Sequence, residues 1–205
     1  MLKKEFFLSI ISLDEGGILN QDCSFCNMAN DGFGKGENLS PGLIWGNAPD
    51  DTKSFAIVFV DIDVPTDLSQ KNQEGVFIPA EQKRTKFIHW LACDIDKETN
   101  SLPKGYMSKD LTNKEVLNIE LVNGKNDYSK YVDEDTLGYW GPCSPTNDLR
   151  LHRYILRLYA LNAASLNLNE GYDYEQFIEA IKDKILAQAN SVVIYTRNAL
   201  LISSK

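Results

Sequence analysis

Residues 54–60 read SFAIVFV, and residues 61–65, which follow directly, read DIDVP. The first run is apolar on both faces of an extended chain, a pattern typical of a central β-strand that is covered on both sides. FIHWLACD at 87–94 and HRYILRLYAL at 152–161 have the same strand character. These three runs predict a mainly β fold.

A helix is predicted near the C-terminus. Asp173 and Gln176 have the spacing of a capping box. From there on, apolar residues recur on one face of a helix, at Tyr174, Phe177, Ile178, Ile181 and Ile185. The β-branched and aromatic run at 192–196 predicts a last strand after this helix.

The composition is acidic and globular. The 205-residue chain has 21 basic and 29 acidic side chains and a net charge of −8. Nonspecific binding to nucleic acid or to an anionic membrane is therefore not expected, since phosphate contacts need a surplus of Lys and Arg. No apolar run approaches the roughly 20 residues that span a bilayer. Residues 6–11 fit a first strand better than a signal peptide, so a cytoplasmic protein is expected.

Four cysteines are too few for a disulfide scaffold. Cys23 and Cys26 have the spacing of half a zinc site. Cys93 and Cys143, which would have to complete that site, are single and far apart in the sequence. We therefore predict buried, free thiols in loops and no metal site.

Both histidines of the chain lie on strongly apolar strands, where the burial of a polar group is costly. His152 is predicted to share a strand face with Tyr154. The side chains predicted on the face of His89 are Phe87, Leu91 and Cys93. A single histidine on such a strand is more often a satisfied core residue than a ligand, but the placement of both histidines in such positions favours one shared site.

Two aspartates and a loop complete this set of polar residues. If the chain stays extended, Asp61 and Asp63 lie on the same side of the central strand as Phe59. The glycine- and proline-rich stretch 138–145 leads into His152. We predict that the two histidines, the two aspartates and this loop converge at one end of a sheet.

Three kinds of chemistry fit such a cluster. Two histidines and two aspartates suit a metal ion, but neither His-x-His nor His-Glu-x-x-His occurs. A hydrolase would use His89 or His152 as base and Cys143 as nucleophile, although no Gly-x-Ser-x-Gly elbow is present. Anion recognition would use N–H groups of loop 138–145 and the two imidazoles. The absence of a Walker loop and of Gly-x-Gly-x-x-Gly excludes nucleotide binding by those routes.

Five segments, in order, match the motifs of a known family. They are NLSPGLIW at 38–45, DIDVP at 61–65, FIHW at 87–90, GPCSP at 141–145 and HRY at 152–154. NDY at 126–128 and YTR at 195–197 also fit. Together they resemble the phosphatidylethanolamine-binding protein (PEBP) family, specifically its prokaryotic, Raf-kinase-inhibitor-like branch.

This resemblance implies a large central β-sheet packed on a smaller sheet, with one or two helices near the C-terminus, as a single domain over residues 1–205. It also implies a small pocket that binds phosphate-like anions, including phospholipid head groups. By the resemblance, the ligand-binding residues are Asp61, Asp63, Pro65, His89, Gly141, Pro142, His152 and Tyr154. The chain departs from the family motifs at Ile62, Val64 and Ser144. These departures affect the expected shape of the pocket more than they affect its expected charged groups.

The resemblance does not by itself name an activity, because family members regulate kinases, inhibit proteases or act in plant development. We expect a soluble binding protein rather than an enzyme, with no cofactor. Its pocket is expected to bind a phosphate- or carboxylate-bearing ligand, and the protein is expected to regulate a protein partner. The alternatives are a small esterase or phosphatase, and a protein-interaction or inhibitor domain in which the pocket is incidental. A homodimer is compatible with the prokaryotic relatives, although no sequence feature demands one.

Overall fold

A computed structural model of the chain describes residues 4–27, 35–107, 119–133 and 136–202. Its strands are β1 (Phe7–Ile10), β2 (Leu43–Gly46), β3 (Ser54–Pro65), β4 (Arg84–Asp96), β5 (Ser101–Leu102), β6 (Val122–Asn123), β7 (His152–Leu161) and β8 (Ile185–Tyr195). Its helices are α1 (Tyr174–Ile181) and α2 (Ala199–Ile202), with 3₁₀ turns at Gln21–Cys23 and Asp127–Lys130. None of these helices has the length and apolar character needed to cross a membrane.

Two antiparallel sheets contain these strands. The large sheet has the order β6-β4-β3-β7-β8, and the small sheet has the order β1-β2-β5. The three apolar runs of the sequence thus form β4, β3 and β7, side by side in the middle of the large sheet, as their two-faced pattern predicts. The predicted fold class, a large sheet packed on a smaller one with helices near the C-terminus, is confirmed.

Each face of the large sheet has its own apolar core. Phe55 and Ile57 of β3 pack with Leu43 and Trp45 of the small sheet in one core. Val58, from the opposite face of β3, packs in the second core; the residues of α1 in that core are Phe177 and Ile181. Because side chains alternate along a strand, β3 is covered on both sides.

Helix α1 begins as predicted but is shorter than its apolar pattern. The Asp173 carboxylate accepts the backbone N–H of Gln176, and the Gln176 side chain accepts the N–H of Asp173. The helix ends at Ile181, and Ile185 is already part of β8, where it pairs with Leu161 of β7. The prediction that the last strand begins at residue 192 is therefore wrong, because pairing with β7 overrides the weak strand propensity of the preceding residues.

Cys26 and Cys143 form a disulfide, with Cα atoms 4.7 Å apart and a sequence separation of 117. The prediction of free thiols is wrong for this pair, because sequence spacing cannot show which distant loops meet. Cys23 and Cys93 are free and buried, as predicted, and burial raises the pKa of each thiol to about 12. Disulfides persist mainly in oxidising compartments, so this bond is an observation against the expected cytoplasmic location.

Candidate functional site

A cavity of about 370 Å³ lies where β3, β4 and β7 run side by side. Four of the eight predicted site residues line it: Asp61, His89, His152 and Tyr154. Asp61 is placed by pairing, since it stands opposite Phe87 of β4 on one side and Tyr154 of β7 on the other. The structure therefore brings both histidines and one aspartate together, as the strand pattern predicts.

The other four predicted residues do not line the cavity. The buried Asp63 carboxylate accepts hydrogen bonds from the backbone N–H and the guanidinium of Arg153, at 2.7–3.0 Å. Burial alone would raise the pKa of Asp63, but the bonds from Arg153 outweigh it and lower the pKa. Pro65 is the last residue of β3, and Gly141 and Pro142 belong to the loop behind His89. These residues support the wall rather than form it.

His89 reaches the cavity from an irregular point of β4. Phe59 of β3 pairs with Trp90, and the next residue, Val60, pairs with Ile88, so His89 itself has no partner on β3. An extra residue of this kind is a β-bulge, which bends the strand and re-aims a side chain. The histidine therefore stands in the bulge of an otherwise regular pair of strands.

The bulge also exchanges the faces of the residues that follow it in β4, up to a second register shift between Ala92 and Ile95. Trp90 and Ala92 lie in the core shared with the small sheet, whereas Leu91 and Cys93 lie in the core under α1. The prediction that Leu91 and Cys93 share the face of His89 is therefore wrong. A strict alternation cannot account for an inserted residue, since a shift by one exchanges the two faces.

His89 is a neutral imidazole whose hydrogen position is fixed by its partners. Its Nδ1 lies 2.7 Å from the carbonyl oxygen of Trp140 and 3.1 Å from that of Gly141. Because carbonyl oxygens only accept, Nδ1 carries the hydrogen, and Nε2 of the neutral ring is an acceptor. Burial lowers the pKa of His89, although the Asp61 carboxylate opposes this effect. No described residue is hydrogen-bonded to Nε2, which remains available to a cavity ligand.

His152 is in the opposite state. Its Nδ1 donates to Asp61 Oδ2 at 2.6 Å, and its Nε2 donates to Asp148 Oδ2 at 3.0 Å. Burial disfavours the charged ring, but the bonds to Asp148 and Asp61 outweigh it and raise the pKa of His152 to about 9. The imidazolium therefore has no N–H left to donate to a ligand and no lone pair to act as a base, contrary to both roles expected from the sequence.

Asp148 links this histidine to Arg84. The Arg84 guanidinium donates to both Asp148 oxygens, at 2.5 and 3.0 Å, and also to the Asp63 carbonyl at 2.9 Å. Burial raises the pKa of Asp148, but the bonds from His152 and Arg84 outweigh it and lower the pKa. Asp61, His152, Asp148 and Arg84 form a buried row of alternating charges that compensate one another.

The Tyr154 hydroxyl is the polar group of the wall that lacks a partner. It is buried and makes no hydrogen bond of ordinary geometry with any described residue, although the Asp61 carboxylate lies close enough to be a weak acceptor. Burial, and then the nearby Asp61 carboxylate, raises the pKa of Tyr154, so the hydroxyl keeps its hydrogen. An unsatisfied buried polar group costs about 1–3 kcal/mol, and such groups normally bind water or a ligand.

The loop that follows β6 in the sequence closes the back of the site. Gly141 N–H donates to Asn38 Oδ1 at 2.7 Å, and a Cβ at Gly141 would lie 2.1 Å from the Cys23 carbonyl oxygen. Only glycine allows so close an approach of two backbones. Cys143 lines the cavity but is bonded to Cys26, so the predicted role of Cys143 as a free nucleophile is wrong.

Cationic groups outnumber carboxylates in the wall. Lys71 and Arg197 line it, besides the His152 imidazolium, whose charge is compensated by Asp61 and Asp148. Arg197 is 5% exposed, and its Nε donates to the Ser144 carbonyl at 2.7 Å. Burial lowers the pKa of Arg197. The wall is therefore suited to a negatively charged ligand, in spite of the net charge of the chain.

Aromatic rings also line the cavity. Phe25 and Tyr128 have ring centroids 5.1 Å apart, and Phe87 lies 4.9 Å from Tyr128. The Tyr128 hydroxyl donates to the Gly141 carbonyl at 2.9 Å. Tyr128 was not among the predicted site residues, nor was Arg197, although both stand in segments that carry the family resemblance. Their presence in those segments is the signal by which they could have been found.

A second, larger cavity lies elsewhere. It has a volume of about 560 Å³ and is bounded by segment 14–22 and helix α2. Its wall contains none of the predicted site residues, and its acidic side chains are Asp14, Asp22 and Glu37. The smaller cavity, with two histidines, an unpartnered hydroxyl and cationic groups, is the candidate site.

Comparison with known proteins gives consistent relatives. The family model described as phosphatidylethanolamine-binding protein matches residues 10–196. A UPF0098 protein of Methanothermobacter thermautotrophicus is 30% identical over 162 residues, which are 79% of this chain and 85% of the relative. Escherichia coli YbcL, described as a new member of the mammalian PEBP family, has a TM-score of 0.71 at 24% identity over 94% of this chain and 99% of its own. The PEBP homolog CT736 of Chlamydia trachomatis has a TM-score of 0.64 at 25% identity, over 93% and 96% of the two chains.

Proposed function

Because this chain belongs to the phosphatidylethanolamine-binding protein family, we propose that the cavity beside His89 binds a small ligand carrying a phosphate or carboxylate group. The observation that carries the proposal is the buried Tyr154 hydroxyl, which has a hydrogen to donate and makes no hydrogen bond of ordinary geometry with the described residues. Lys71 and Arg197 add positive potential around it.

The size of the cavity is suited to a small organic anion. Its volume of about 370 Å³ is at the lower end of the range typical of small-molecule sites. The wall contains aromatic rings as well as charged groups. The anionic group would bind near Tyr154 and Arg197, and the carbon part of the ligand would pack against Phe25 and Tyr128.

A hydrolase has less support. Cys143 is held in a disulfide, and His152 has both ring nitrogens bonded to carboxylates. His89 Nε2 is the remaining candidate base. Turnover of esterase and phosphatase substrates by the wild type, lost in His89→Ala, would establish an enzyme instead of a binding protein.

The proposal is tested by titrating inorganic phosphate and acetate into the protein while the His89 imidazole resonances are followed by NMR. The test compares wild type with Tyr154→Phe and with Tyr159→Phe, a control on the same strand that is buried in the core under α1. We expect saturable shifts in wild type and in the control, and affinity lower by about tenfold in Tyr154→Phe.

Tyr154→Phe should fold normally, because it removes only a hydroxyl that has no partner. Its thermal midpoint should equal or exceed that of the wild type. If neither anion perturbs His89, the proposal is wrong. Equal affinity of Tyr154→Phe and Tyr159→Phe for phosphate would remove the observation on which it depends.

A further inference from the structure

We infer that the Cys26–Cys143 disulfide is a site of thiol–disulfide exchange with small anionic thiols, which reach it through the cavity beside His89. The inference rests on the proposed function in one respect, because the cationic groups that would hold an anionic ligand would also attract an anionic thiol. It assigns to the cavity a covalent reaction that anion binding alone does not include.

The disulfide is accessible from the cavity, whereas the two free thiols are not. Cys26 and Cys143 both line the cavity and are half-buried. Cys23 and Cys93 are 0% exposed and pack in the two apolar cores. Exchange requires that a thiolate reaches a sulfur atom of the bond. A small thiol can therefore reach the disulfide in the folded protein without exposing the buried cysteines.

The charge of the wall favours an anionic thiol. Lys71 and Arg197 line the same cavity as the disulfide, and Asp61 is the one carboxylate among the described residues that line it. Asp61 is bonded to the His152 imidazolium at 2.6 Å, so it does not cancel the charges of Lys71 and Arg197. A cleft lined by one sign of charge raises the local concentration of molecules of the opposite sign. A thiol that carries a carboxylate should therefore react faster than a neutral one.

Hydrogen bonds around the disulfide allow it to open while the two segments that it joins stay together. The backbone N–H groups of Phe25 and Cys26 both donate to the Pro142 carbonyl, at 3.0 and 3.2 Å. The Tyr195 hydroxyl donates to the Cys26 carbonyl at 2.6 Å. None of these bonds involves a sulfur atom, so they persist when the S–S bond is broken. The two cysteines therefore stay close enough to form the disulfide again.

The reaction is a two-step exchange. The thiolate of the small thiol attacks one sulfur of the disulfide and forms a mixed disulfide, and the other cysteine leaves as a thiolate that takes a proton from water. A second thiolate attacks the mixed disulfide, which releases the second cysteine and the oxidised small thiol. Two molecules of the small thiol thus supply the two electrons that reduce the protein disulfide, and no other co-reactant is needed.

The test measures how fast Cys26 and Cys143 of the folded, full-length protein become open to alkylation after a thiol is added. Three thiols of similar size are compared: anionic 3-mercaptopropionate, neutral 2-mercaptoethanol and cationic 2-aminoethanethiol. Samples are quenched with iodoacetamide, and peptide mass spectrometry identifies the alkylated cysteines. Each rate constant is divided by that of the same thiol with the urea-unfolded protein, which corrects for differences in thiolate fraction and nucleophilicity.

We expect the corrected rate constant to be about tenfold higher for 3-mercaptopropionate than for 2-mercaptoethanol, and lowest for 2-aminoethanethiol. Salt at about 1 M should bring the three values together, because it screens the charges of the wall. Cys23 and Cys93 should stay unalkylated in the folded protein, since both are buried.

Lys71→Gln and Lys182→Gln are a matched pair of charge changes. Lys71 lines the cavity, whereas Lys182 directly follows α1 and does not line it. Lys71→Gln should lower the preference for the anionic over the neutral thiol by about threefold, because one attracting charge is lost. Lys182→Gln, which changes the net charge by the same amount, should keep the preference of the wild type.

Equal corrected rate constants for the three thiols would overturn the inference, and phosphate-induced shifts of the His89 resonances would still leave the proposed function standing. Alkylation of Cys23 and Cys93 as fast as that of Cys26 and Cys143 would also overturn the inference, because the disulfide would then react only in unfolded chains. The absence of both the charge preference and the phosphate-induced shifts would overturn both proposals.

Discussion

His89 and His152 are buried on β4 and β7, the two strands that flank β3, yet their surroundings give them opposite protonation states. Burial keeps His89 neutral in spite of its two carbonyl partners, and two carboxylates keep His152 charged in spite of burial. The sequence predicts that both residues share a site, because both stand on apolar strands. Their states could not be predicted, since Trp140 and Asp148 come from loops that have no periodic pattern.

The pKa of His152 predicts a dependence of stability on pH. The pKa of about 9 in the folded protein lies above the ordinary value of 6.5. The stabilisation from the imidazolium is therefore complete below pH 6.5 and is lost as pH rises through 9. We expect the free energy of unfolding in urea to fall by about 3 kcal/mol at most over this interval.

The matched variants for this measurement are His152→Gln and His89→Gln. His152→Gln should have a flat profile from pH 6.5 to 9 and lower stability at pH 6.5, because it leaves Asp61 and Asp148 without their shared partner. His89→Gln should keep the wild-type slope. A flat wild-type profile would show that His152 is not charged in the folded protein.

Two local irregularities of the backbone position the side chains of the site. The bulge in β4 directs His89 to the cavity, and the close approach of Gly141 to Cys23 sets the loop that holds its Nδ1. The extent of β7, residues 152–161, follows from the sequence because its apolar pattern is regular. The bulge does not follow, because its insertion is visible only once β3 and β4 are paired.

Gly141→Ala tests the loop. Its Cβ would meet a backbone oxygen, that of Cys23, at 2.1 Å, so the loop or its neighbour must move. We expect destabilisation by about 1–3 kcal/mol in urea and altered His89 resonances. Gly46→Ala is the control, because its Cβ would meet only the ring of Phe7, a 42% exposed side chain that can turn away. Similar losses in the two variants would contradict the tight approach at Gly141.

At the scale of the whole molecule, the fold can be predicted from the sequence. The site is assembled by contacts between residues that are distant from one another in the sequence. Two-faced apolar runs are enough to predict β3, β4 and β7 as central strands, because burial of both faces leaves a local pattern. The cavity also needs Cys26, Tyr128 and Arg197, which lie on three other segments. Their meeting depends on loop paths, and only the family resemblance carries information about those paths.

The Cys26–Cys143 disulfide is the longest-range covalent constraint in the described residues, with a sequence separation of 117 between its ends. A bond that closes a loop of this size typically contributes about 3–5 kcal/mol by restricting the unfolded chain. We expect a dithiol reductant to lower the thermal midpoint of the wild type. The double variant Cys26→Ser, Cys143→Ser should unfold at the lower temperature with or without reductant. Four titratable thiols in the unreduced, denatured protein would contradict the bond.

The central claim is that the cavity between His89 and Tyr154 holds the phosphate group of a ligand. A crystal structure of the protein with saturating phenyl phosphate tests it most directly. We predict tetrahedral density in the cavity of about 370 Å³, with one oxygen within hydrogen-bonding distance of the Tyr154 hydroxyl and another at His89 Nε2. Phosphate density only in the larger cavity beside α2, or an empty site between His89 and Tyr154, would contradict the account.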